Sequence, residues 1–476
     1  MDENQDILDW LAAQADRVID TPAARVALVG DRAFKVKRAV DFGFLDFSTA
    51  ERRRWALERE LAFNREGAPD LYRSVHTVHR SPEGALTFGG SGEPVEAVLE
   101  MRRFSDDAVL AARPDRLDGE LAEALGRAVA RAHATAAADD GAGGPEALGY
   151  TVGSNAGHLR THAGVLGAEA VERVVAATDA AFARLRPVLE ARRAAGLGRR
   201  CHGDLHLGNI VVEDGRPALF DCIEFNDTLS RIDVLYDLAF LLMDLEHRGR
   251  GDAAARVLSA WLDEAQRSEP EALTGFEVLP LFMSVRAAVR THVAAAGGDL
   301  EAARAYLAAA EAHLAPPAPR LLAVGGLSGS GKSTYARAAA PSLGPAAAIV
   351  RSDEVRKRLW GAAPIERLPE AAYARGESGR VYARMLEEAS ALLAAGRPVV
   401  LDAVFLRAEE RAAAERLAAE RGVAFEGVWL EADAEVLRRR VAARAGDASD
   451  ATPAVVDAQL ALDPGPMTWT VRSGRG

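Results

Sequence analysis

The sequence predicts a two-lobed α+β part followed by an α/β part whose parallel sheet is flanked by helices. Residues 315–320 contain three prolines, which end the helical stretch before them and favour a short, stiff linker. After this linker, apolar runs typical of buried strands alternate with helical segments. Before it, hairpin-like patterns give way to helical spacing. We therefore place one unit at residues 1–315, with a small lobe at about 20–105 and a helical lobe at about 106–315, and a second unit at 320–476.

Composition narrows the class of protein. Hydrophobic residues make up 49% and charged residues 27% of 476 residues, which is ordinary for a globular protein. The net charge of −12 gives no general attraction to nucleic acid or anionic lipid. Two cysteines cannot build a disulfide framework, and neither a signal-peptide pattern nor a membrane-length apolar run is visible. We therefore expect a cytoplasmic protein with no membrane partner.

The small lobe begins with a predicted hairpin. Val26 to Val29 form its first strand, a Gly30-Asp31 turn follows, and the second strand runs from Ala33. A charged helix is expected at about residues 48–64, with Ser48 as its N-cap. Further strands are expected between residues 75 and 98.

The strongest motif lies directly after the linker. Residues 326–333 fit the phosphate-loop pattern G-x-x-x-x-G-K-[ST], between an apolar strand and a helix at about 334–340. Backbone N–H groups and the helix N-terminus would hold phosphates, Lys332 would reach the β- and γ-phosphates, and Ser333 would ligate Mg²⁺. A chance glycine- and serine-rich turn is disfavoured because strand, loop and helix occur in order. The predicted nucleotide-binding residues are Gly326, Ser328, Gly329, Ser330, Gly331, Lys332, Ser333 and Thr334.

Two carboxylates follow later strands of the same sheet. Asp353 and Asp402 each end an apolar run, and parallel strand ends meet at the edge where ligands bind. We predict that Asp402 holds Mg²⁺ or its water and that Asp353 accepts a proton from an attacking hydroxyl. Alternatively, each carboxylate caps the helix after it. Arg440 and Arg444, at i and i+4, are predicted to close over the transferring phosphoryl group, with a solvated helix face as the alternative.

Residues 320–465 resemble a small P-loop kinase of the group that includes zeta toxins, gluconate kinases and the kinase part of polynucleotide repair enzymes. The phosphate loop carries most of this resemblance. Asp353 with Arg356, Asp402 and the tail around Asp447 also match the group. The resemblance implies transfer of phosphate from ATP to a hydroxyl of a small molecule or of a polynucleotide end.

A second motif lies within the first unit. Cys201-His-Gly-Asp-Leu-His-Leu-Gly-Asn209 is followed by a predicted hairpin that ends at Asp221. Asp204 is a candidate base, and Asn209 and Asp221 are candidate Mg²⁺ ligands, as in kinases. One alternative makes His202, Asp204 and His206 metal ligands, although their spacing is a poor zinc template. Another gives Asp204 and Asn209 only turn-stabilising roles.

With this loop, residues 20–310 resemble the aminoglycoside-phosphotransferase-like branch of the protein-kinase fold. The resemblance implies that Lys35 orients the nucleotide phosphates and that Glu60 holds this lysine; Lys37 and Glu58 are the second choices. Asp237 would support the catalytic loop. The family's glycine-rich loop is reduced here to a Gly30 turn, which predicts weak nucleotide binding in this half.

Together, the motifs predict a bifunctional ATP- and Mg²⁺-dependent phosphotransferase with small-molecule hydroxyl acceptors. The alternative is a kinase that processes polynucleotide or RNA ends through its C-terminal unit, with a regulatory N-terminal unit. A steep fall of affinity with salt would mark that alternative. The acidic balance of the chain argues against it.

Overall fold

The structure, a computed structural model, describes residues 4–43, 45–444 and 446–473. Within these ranges the chain begins with a six-stranded antiparallel sheet in the order β1-β2-β3-β6-β4-β5. Its strands are β1 (Arg17–Asp20), β2 (Ala24–Val29), β3 (Arg32–Lys37), β4 (Tyr72–Arg80), β5 (Leu86–Phe88) and β6 (Glu93–Arg102). Helices α1 (Gln5–Ala12) and α2 (Ala50–Gly67) accompany the sheet.

The predicted hairpin is confirmed: β2 and β3 pair around Gly30, whose φ of 58° lies in the left-handed region. The predicted cap of α2 is wrong by one residue. Thr49 accepts a hydrogen bond from the backbone N–H of Arg52, whereas the Ser48 hydroxyl donates to Asp46 at 2.6 Å. Ser48 is therefore held by the preceding turn, which leaves Thr49 to cap the helix.

A helical lobe follows. Its helices are α3 (Gly119–Thr135), α4 (Gly144–Thr161), α5 (Ala163–Leu166), α6 (Ala168–Ala194), α7 (Asp227–Ser230), α8 (Val234–His247), α9 (Gly251–Ser268), α10 (Leu279–Ala296) and α11 (Leu300–Leu314). Two antiparallel ribbons interrupt the described helices, β7 (Gly198–Arg200) with β10 (Arg231–Asp233), and β8 (Ile210–Glu213) with β9 (Arg216–Leu219). Helices α8 and α10 are buried along most of their length and pack against each other, and α8 also contacts β10.

In the described residues after the linker, five parallel strands take the order β12-β13-β11-β14-β15. The strands are β11 (Arg320–Gly326), β12 (Ala348–Arg351), β13 (Val399–Asp402), β14 (Ala424–Glu431) and β15 (Thr470–Ser473). The helices are α12 (Lys332–Leu343), α13 (Ser352–Leu359), α14 (Arg375–Ala394), α15 (Ala408–Arg421), α16 (Ala434–Ala442) and α17 (Pro453–Leu460). The predicted fold class is confirmed, and β15 is an edge strand that the sequence did not indicate.

Helix α9 of the helical lobe packs against α12 and the edge strand β12. The Ser259 hydroxyl accepts a hydrogen bond from the backbone N–H of Ile349 at 2.8 Å, and Glu246 accepts one from Ala346 at 2.7 Å. Ala255 is buried among apolar residues of the second unit. The helical lobe therefore covers an edge that would otherwise expose unpaired backbone groups. No helix among the described residues has both the length and the apolar character needed to cross a membrane.

Candidate active sites

The first candidate site lies between the antiparallel sheet and the helical lobe. Lys35 on β3 donates to Glu60 of α2 at 2.7 Å and to Asp221 at 2.8 Å. Burial alone would lower the pKa of Lys35, but Asp221 and Glu60 raise it well above its ordinary value. Burial likewise opposes ionisation of Asp221, yet Lys35 outweighs it and lowers the pKa of this carboxyl. The predicted lysine, glutamate and aspartate are thus brought together as one charged group.

The second-choice residues lie differently. Lys37 is buried and pairs with Glu60 at 2.7 Å and with Glu224 at 2.5 Å. Glu58 is exposed and lies 3.5 Å from Arg54 on the outer face of α2. Glu60 therefore serves both lysines, and Lys35 is the one that reaches the carboxylate predicted to bind metal.

The loop at residues 201–209 brings Asp204 and Asn209 into contact. The Asn209 amide donates to both the backbone oxygen and Oδ2 of Asp204, each at 2.9 Å. Its side-chain oxygen accepts no hydrogen bond from the described residues, so it can serve as a metal ligand. Burial raises the pKa of Asp204, but His206, 3.5 Å away, together with His202 and Arg286 lowers it well below the ordinary value and keeps the carboxyl ionised. The backbone N–H of Phe220 donates to the backbone oxygen of Asn209 at 3.0 Å, which holds the neighbouring Asp221 close to this loop.

Asp237 supports this loop from below. The fully buried carboxylate accepts hydrogen bonds from the backbone N–H groups of His202 at 3.2 Å and Gly203 at 2.8 Å. Nε2 of His133 lies 3.1 Å from the same carboxylate, and Trp261 donates to Nδ1 of His133. Because Trp261 uses Nδ1 as an acceptor, Nε2 carries the proton and donates to Asp237. This network matches the predicted supporting role of Asp237.

Two groups of residues could in principle bind a metal ion, but hydrogen bonds already occupy their histidine nitrogens. His133, Cys201 and Asp237 lie close enough to share an ion, but both nitrogens of His133 already have partners and burial raises the pKa of the Cys201 thiol well above its usual value. In the predicted alternative set, His202 contacts the carbonyl of Phe220 at 2.9 Å and accepts from the backbone of Asp204 at 3.3 Å. Neither His133 nor His202 has a nitrogen left for a metal. Nδ1 of His206 accepts a hydrogen bond from the backbone N–H of Gly208 at 3.0 Å, and its Nε2 lies 3.5 Å from Asp204.

The second candidate site is the loop between β11 and α12. Gly326 and Gly329 have φ values of 138° and 86°, and a Cβ at these positions would lie 2.4 Å from Leu430 O and 2.6 Å from Leu437 O. Only glycine fits such positions. The Ser330 hydroxyl is buried without a hydrogen-bond partner among the described residues. A tight cradle with an unsatisfied donor suits a phosphate group.

Lys332 begins α12 and donates to the backbone oxygen of Leu327 at 3.0 Å. Burial lowers its pKa, and the attraction of Asp402 and Asp353 offsets this only in part. Ser333 lies in the same first turn beside Arg351, whereas the Thr334 side chain is exposed. The loop thus presents Lys332 and Ser333 to one ligand position, and Thr334 lies at its rim.

The two predicted carboxylates differ in environment. Asp402 ends β13, is buried, and pairs with Arg351 at 3.2 Å. Asp353 belongs to the first turn of α13, because β12 already ends at Arg351. Its half-buried carboxylate forms no hydrogen bond or ion pair within the described residues. Asp353 is therefore available to an acceptor, whereas Asp402 is positioned beside Ser333 through Arg351.

Arg440 and Arg444 lie at the C-terminal end of α16 and just beyond it. Arg440 donates to the backbone oxygen of Gly329 at 3.3 Å, and Arg444 lies 3.9 Å from Asp447. The predicted helical i, i+4 relationship is wrong, since α16 ends at Ala442 and Arg444 follows in an irregular segment. Both guanidinium groups nevertheless lie near the phosphate loop.

Three residues at these sites were not predicted. Arg351 contacts Ser333, Asp402 and Asp447, and Gln459 of α17 accepts a hydrogen bond from the backbone N–H of Ser328 at 2.8 Å. Glu224 is the second partner of Lys37. An arginine at the end of an apolar strand, immediately before Ser-Asp-Glu, was a usable signal for Arg351. Gln459 gave none, because its contact spans 131 positions of sequence.

The residues present fit a triphosphate and a divalent cation at both sites. Hard cations prefer carboxylate, hydroxyl and amide oxygens, and these are supplied by Asn209 with Asp221 and by Ser333 with Asp402. Each site also has a lysine for the phosphates, Lys35 or Lys332.

Comparison with known proteins agrees with this architecture. A family model described as "Phosphotransferase enzyme family" matches residues 90–274, and one described as "AAA domain" matches residues 321–464. The Mycobacterium tuberculosis H37Rv protein Rv2004c is 35% identical over 417 residues, which cover 84% of this chain and 80% of that protein. Mb2027c of Mycobacterium bovis shows the same identity and coverage.

Two solved structures are similar to parts of the chain. The amicoumacin kinase hAmiN is 13% identical and covers 65% of this chain and 93% of its own, with a TM-score of 0.43. A gluconokinase from Sinorhizobium meliloti is 22% identical and covers 33% of this chain and 84% of its own, with a TM-score of 0.23.

The matched families, the phosphate loop and the kinase-type loop establish ATP-dependent phosphotransfer. Both resemblances seen in the sequence, to aminoglycoside phosphotransferases and to P-loop kinases, are confirmed. The chain is an ATP-dependent kinase and belongs to the same family as Rv2004c of Mycobacterium tuberculosis.

Proposed function

We propose that the chain is a bifunctional, Mg²⁺-dependent kinase with one site in residues 1–315 and another in residues 320–476. In the first unit the small lobe at about 20–105 and the helical lobe at about 106–315 enclose the nucleotide. Each site transfers the γ-phosphoryl group of ATP to a hydroxyl of a small molecule. The observation that carries this proposal is the presence of two separate, complete sets of lysine, oxygen ligands and acceptor-side carboxylate in one chain.

In the first site, Lys35 would contact the phosphates while Glu60 fixes its position. Asn209 and Asp221 would hold Mg²⁺, which supplies charge neutralisation between the phosphates when bound. Asp204 is ionised and hydrogen-bonded to Asn209. A carboxylate with such a low pKa is a weak base, so Asp204 orients the acceptor hydroxyl and receives its proton late in the transfer.

In the second site, the backbone N–H groups of residues 326–333 would hold the phosphates, together with Lys332. Ser333 and Asp402 would hold Mg²⁺ or its water. Asp353 would receive the proton of the acceptor, since its carboxylate is uncommitted. Arg440 and Arg444 would neutralise charge on the transferring group. These roles require the fixed loop geometry that Gly326 and Gly329 provide.

A small-molecule acceptor suits the net charge of −12, which would repel a polynucleotide. The two cysteines are free and buried, in keeping with a reducing cytoplasmic compartment.

The test begins with the stoichiometry of a non-hydrolysable ATP analogue in the presence of Mg²⁺. We expect two molecules per chain, one after Lys332→Ala, one after Lys35→Met, and none in the double variant. Loss of all binding in either single variant would contradict two independent sites.

The acceptors are then sought by mass spectrometry after incubation of the full chain with ATP, Mg²⁺ and a panel of hydroxyl compounds. Each single variant should remove one class of product and leave the other. Phosphorylation of 5′-hydroxyl oligonucleotides alone, lost in Lys332→Ala, would replace the small-molecule proposal by end processing.

A further inference from the structure

Arg351 lies at the centre of the P-loop site, although it is not part of the phosphate loop. It is the last residue of β12, and 6% of its surface is exposed. Nε lies 3.2 Å from Asp402, and one terminal nitrogen lies 3.3 Å from the Ser333 hydroxyl and 2.9 Å from Asp447. The other terminal nitrogen lies 3.2 Å from Glu354. One buried guanidinium therefore joins four side chains.

Two of these partners, Ser333 and Asp402, are the side chains that would hold Mg²⁺. A guanidinium has only N–H donors and cannot ligate a metal. Mg²⁺ requires close octahedral oxygen ligands, and two cations on the same oxygens repel each other strongly in a buried site. Mg²⁺ bound to Ser333 and Asp402 would therefore compete with Arg351 for these two side chains.

The remaining partners of Arg351, Glu354 and Asp447, could hold its guanidinium group away from Ser333 and Asp402. Glu354 lies at the boundary with the helical lobe, 3.8 Å from Arg127 of α3. Arg127 lies 3.6 Å from Glu123, which pairs with Arg337 of α12 at 2.6 Å. Charges of alternating sign thus run from the P-loop site into the helical lobe and back to the helix that carries Lys332.

We propose that Arg351 is a positioning residue that keeps Ser333 and Asp402 together in the metal-free P-loop site. A magnesium–nucleotide complex displaces it from these two side chains and leaves it paired with Glu354. Arg127 competes for the same carboxylate, so the metal requirement of the P-loop site depends on a residue of the helical lobe. This inference rests on the proposed function of that site.

The test measures the Mg²⁺ concentration that gives half-maximal binding of a fluorescent ATP analogue. The full chain carries Lys35→Met so that only the P-loop site is observed. Arg351→Gln removes the competing cation and should lower the Mg²⁺ midpoint about tenfold, which matches the loss of one charged hydrogen-bonding group. Arg351→Lys keeps the charge but cannot span Ser333 and Asp402 together, and should lower the midpoint less.

The contact between Glu354 and Arg127 predicts that their variants shift the Mg²⁺ midpoint in opposite directions. Glu354→Gln removes the acceptor of the displaced Arg351 and should raise the midpoint. Arg127→Gln frees Glu354 for Arg351 and should lower it about threefold, as expected for a partly exposed charge pair. Arg131→Gln, on the same helix but exposed, is the matched control and should leave the midpoint unchanged.

Circular dichroism establishes that each variant is folded. If Arg351→Gln does not fold, Arg351→Lys and the Glu354 and Arg127 variants decide. The inference is overturned if the Arg351 variants leave the midpoint unchanged or raise it, or if Glu354→Gln and Arg127→Gln shift it in the same direction. Absence of analogue binding in the Lys35→Met protein at every Mg²⁺ concentration would instead overturn the proposed P-loop function.

Discussion

The two lysines proposed to contact phosphate, Lys35 and Lys332, are held in opposite ways. Lys35 lies between two carboxylates, Glu60 and Asp221, which raise its pKa well above the ordinary value. Lys332 has no ion pair among the described residues, and burial lowers its pKa. The first lysine has its counter-charges built in, whereas the second contacts only a backbone carbonyl and gains a full counter-charge when phosphate binds.

The carboxylates proposed to bind metal, Asp221 and Asp402, are both paired with a cation, but the source of the cation differs. Asp221 takes its cation from the nucleotide lysine itself, whereas Asp402 takes a separate cation from Arg351. In the N-terminal site, Lys35 is therefore both the group proposed to contact phosphate and the counter-charge of the carboxylate proposed to bind metal. In the P-loop site these roles are divided between Lys332 and Arg351. Metal binding should consequently free a phosphate-binding group only in the N-terminal site.

The largest expected effect is a loss of phosphoryl transfer at the N-terminal site alone. Asp204→Asn keeps the shape and the contact with Asn209 but removes the charge that orients the acceptor hydroxyl. We expect the rate of the N-terminal product to fall about 10³-fold, in the usual range for loss of a catalytic acid–base group, with unchanged nucleotide affinity. Steady-state kinetics on each product measure this.

Asp214→Asn is the matched control for Asp204→Asn, because Asp214 lies in the exposed turn between β8 and β9. It should leave both products unchanged. A parallel fall of the P-loop product in Asp204→Asn would show that the two sites are not independent.

The next effect concerns Ser333, whose hydroxyl is the proposed direct metal ligand of the P-loop site. Ser333→Ala removes this ligand, and we expect about a 10²-fold loss of P-loop product, comparable with loss of one transition-state contact. Ser333→Thr keeps the hydroxyl and should retain most of the activity. Rates at increasing Mg²⁺ measure the loss, and equal rates for the alanine and threonine variants would contradict a ligand role.

How much the sequence predicts also differs between the sites. The P-loop site was predictable because its lysine, hydroxyl and glycines occupy eight consecutive residues with a fixed geometry. The N-terminal lysine, glutamate and loop residues come from four distant segments, and a family resemblance was needed to choose Lys35 over Lys37. The contact of Arg351 with Asp447 spans 96 positions and depends on how the tail folds back, which local patterns do not encode.

A stability effect tests the buried network that supports the N-terminal site. Asp237→Ala leaves the backbone N–H groups of His202 and Gly203 and the proton of His133 without their buried acceptor. We expect the free energy of unfolding to fall by about 3 kcal/mol, typical of breaking a buried charged network. Urea unfolding followed by circular dichroism measures this. Asp140→Ala, at an exposed position, is the control and should change stability little.

The smallest expected effect tests the opening comparison directly through amine chemistry. The chain has only four lysines, Lys35, Lys37, Lys332 and Lys357, and all but Lys332 pair with carboxylates. Only an unprotonated amine reacts with an acylating reagent, so the lowered pKa of Lys332 should make it react several-fold faster than Lys35 at mildly alkaline pH, where a shift of one pKa unit changes the neutral fraction about tenfold.

Peptide mapping by mass spectrometry after brief labelling measures the rate at each lysine. Labelling of Lys332 should rise with pH, with a midpoint below the ordinary lysine value, and ATP with Mg²⁺ should protect it. Asp221→Asn removes a carboxylate that raises the pKa of Lys35 and should increase labelling there without affecting Lys332. Faster labelling of Lys35 than of Lys332 in the unmodified chain would reverse the comparison, because it would place the uncompensated lysine in the N-terminal site.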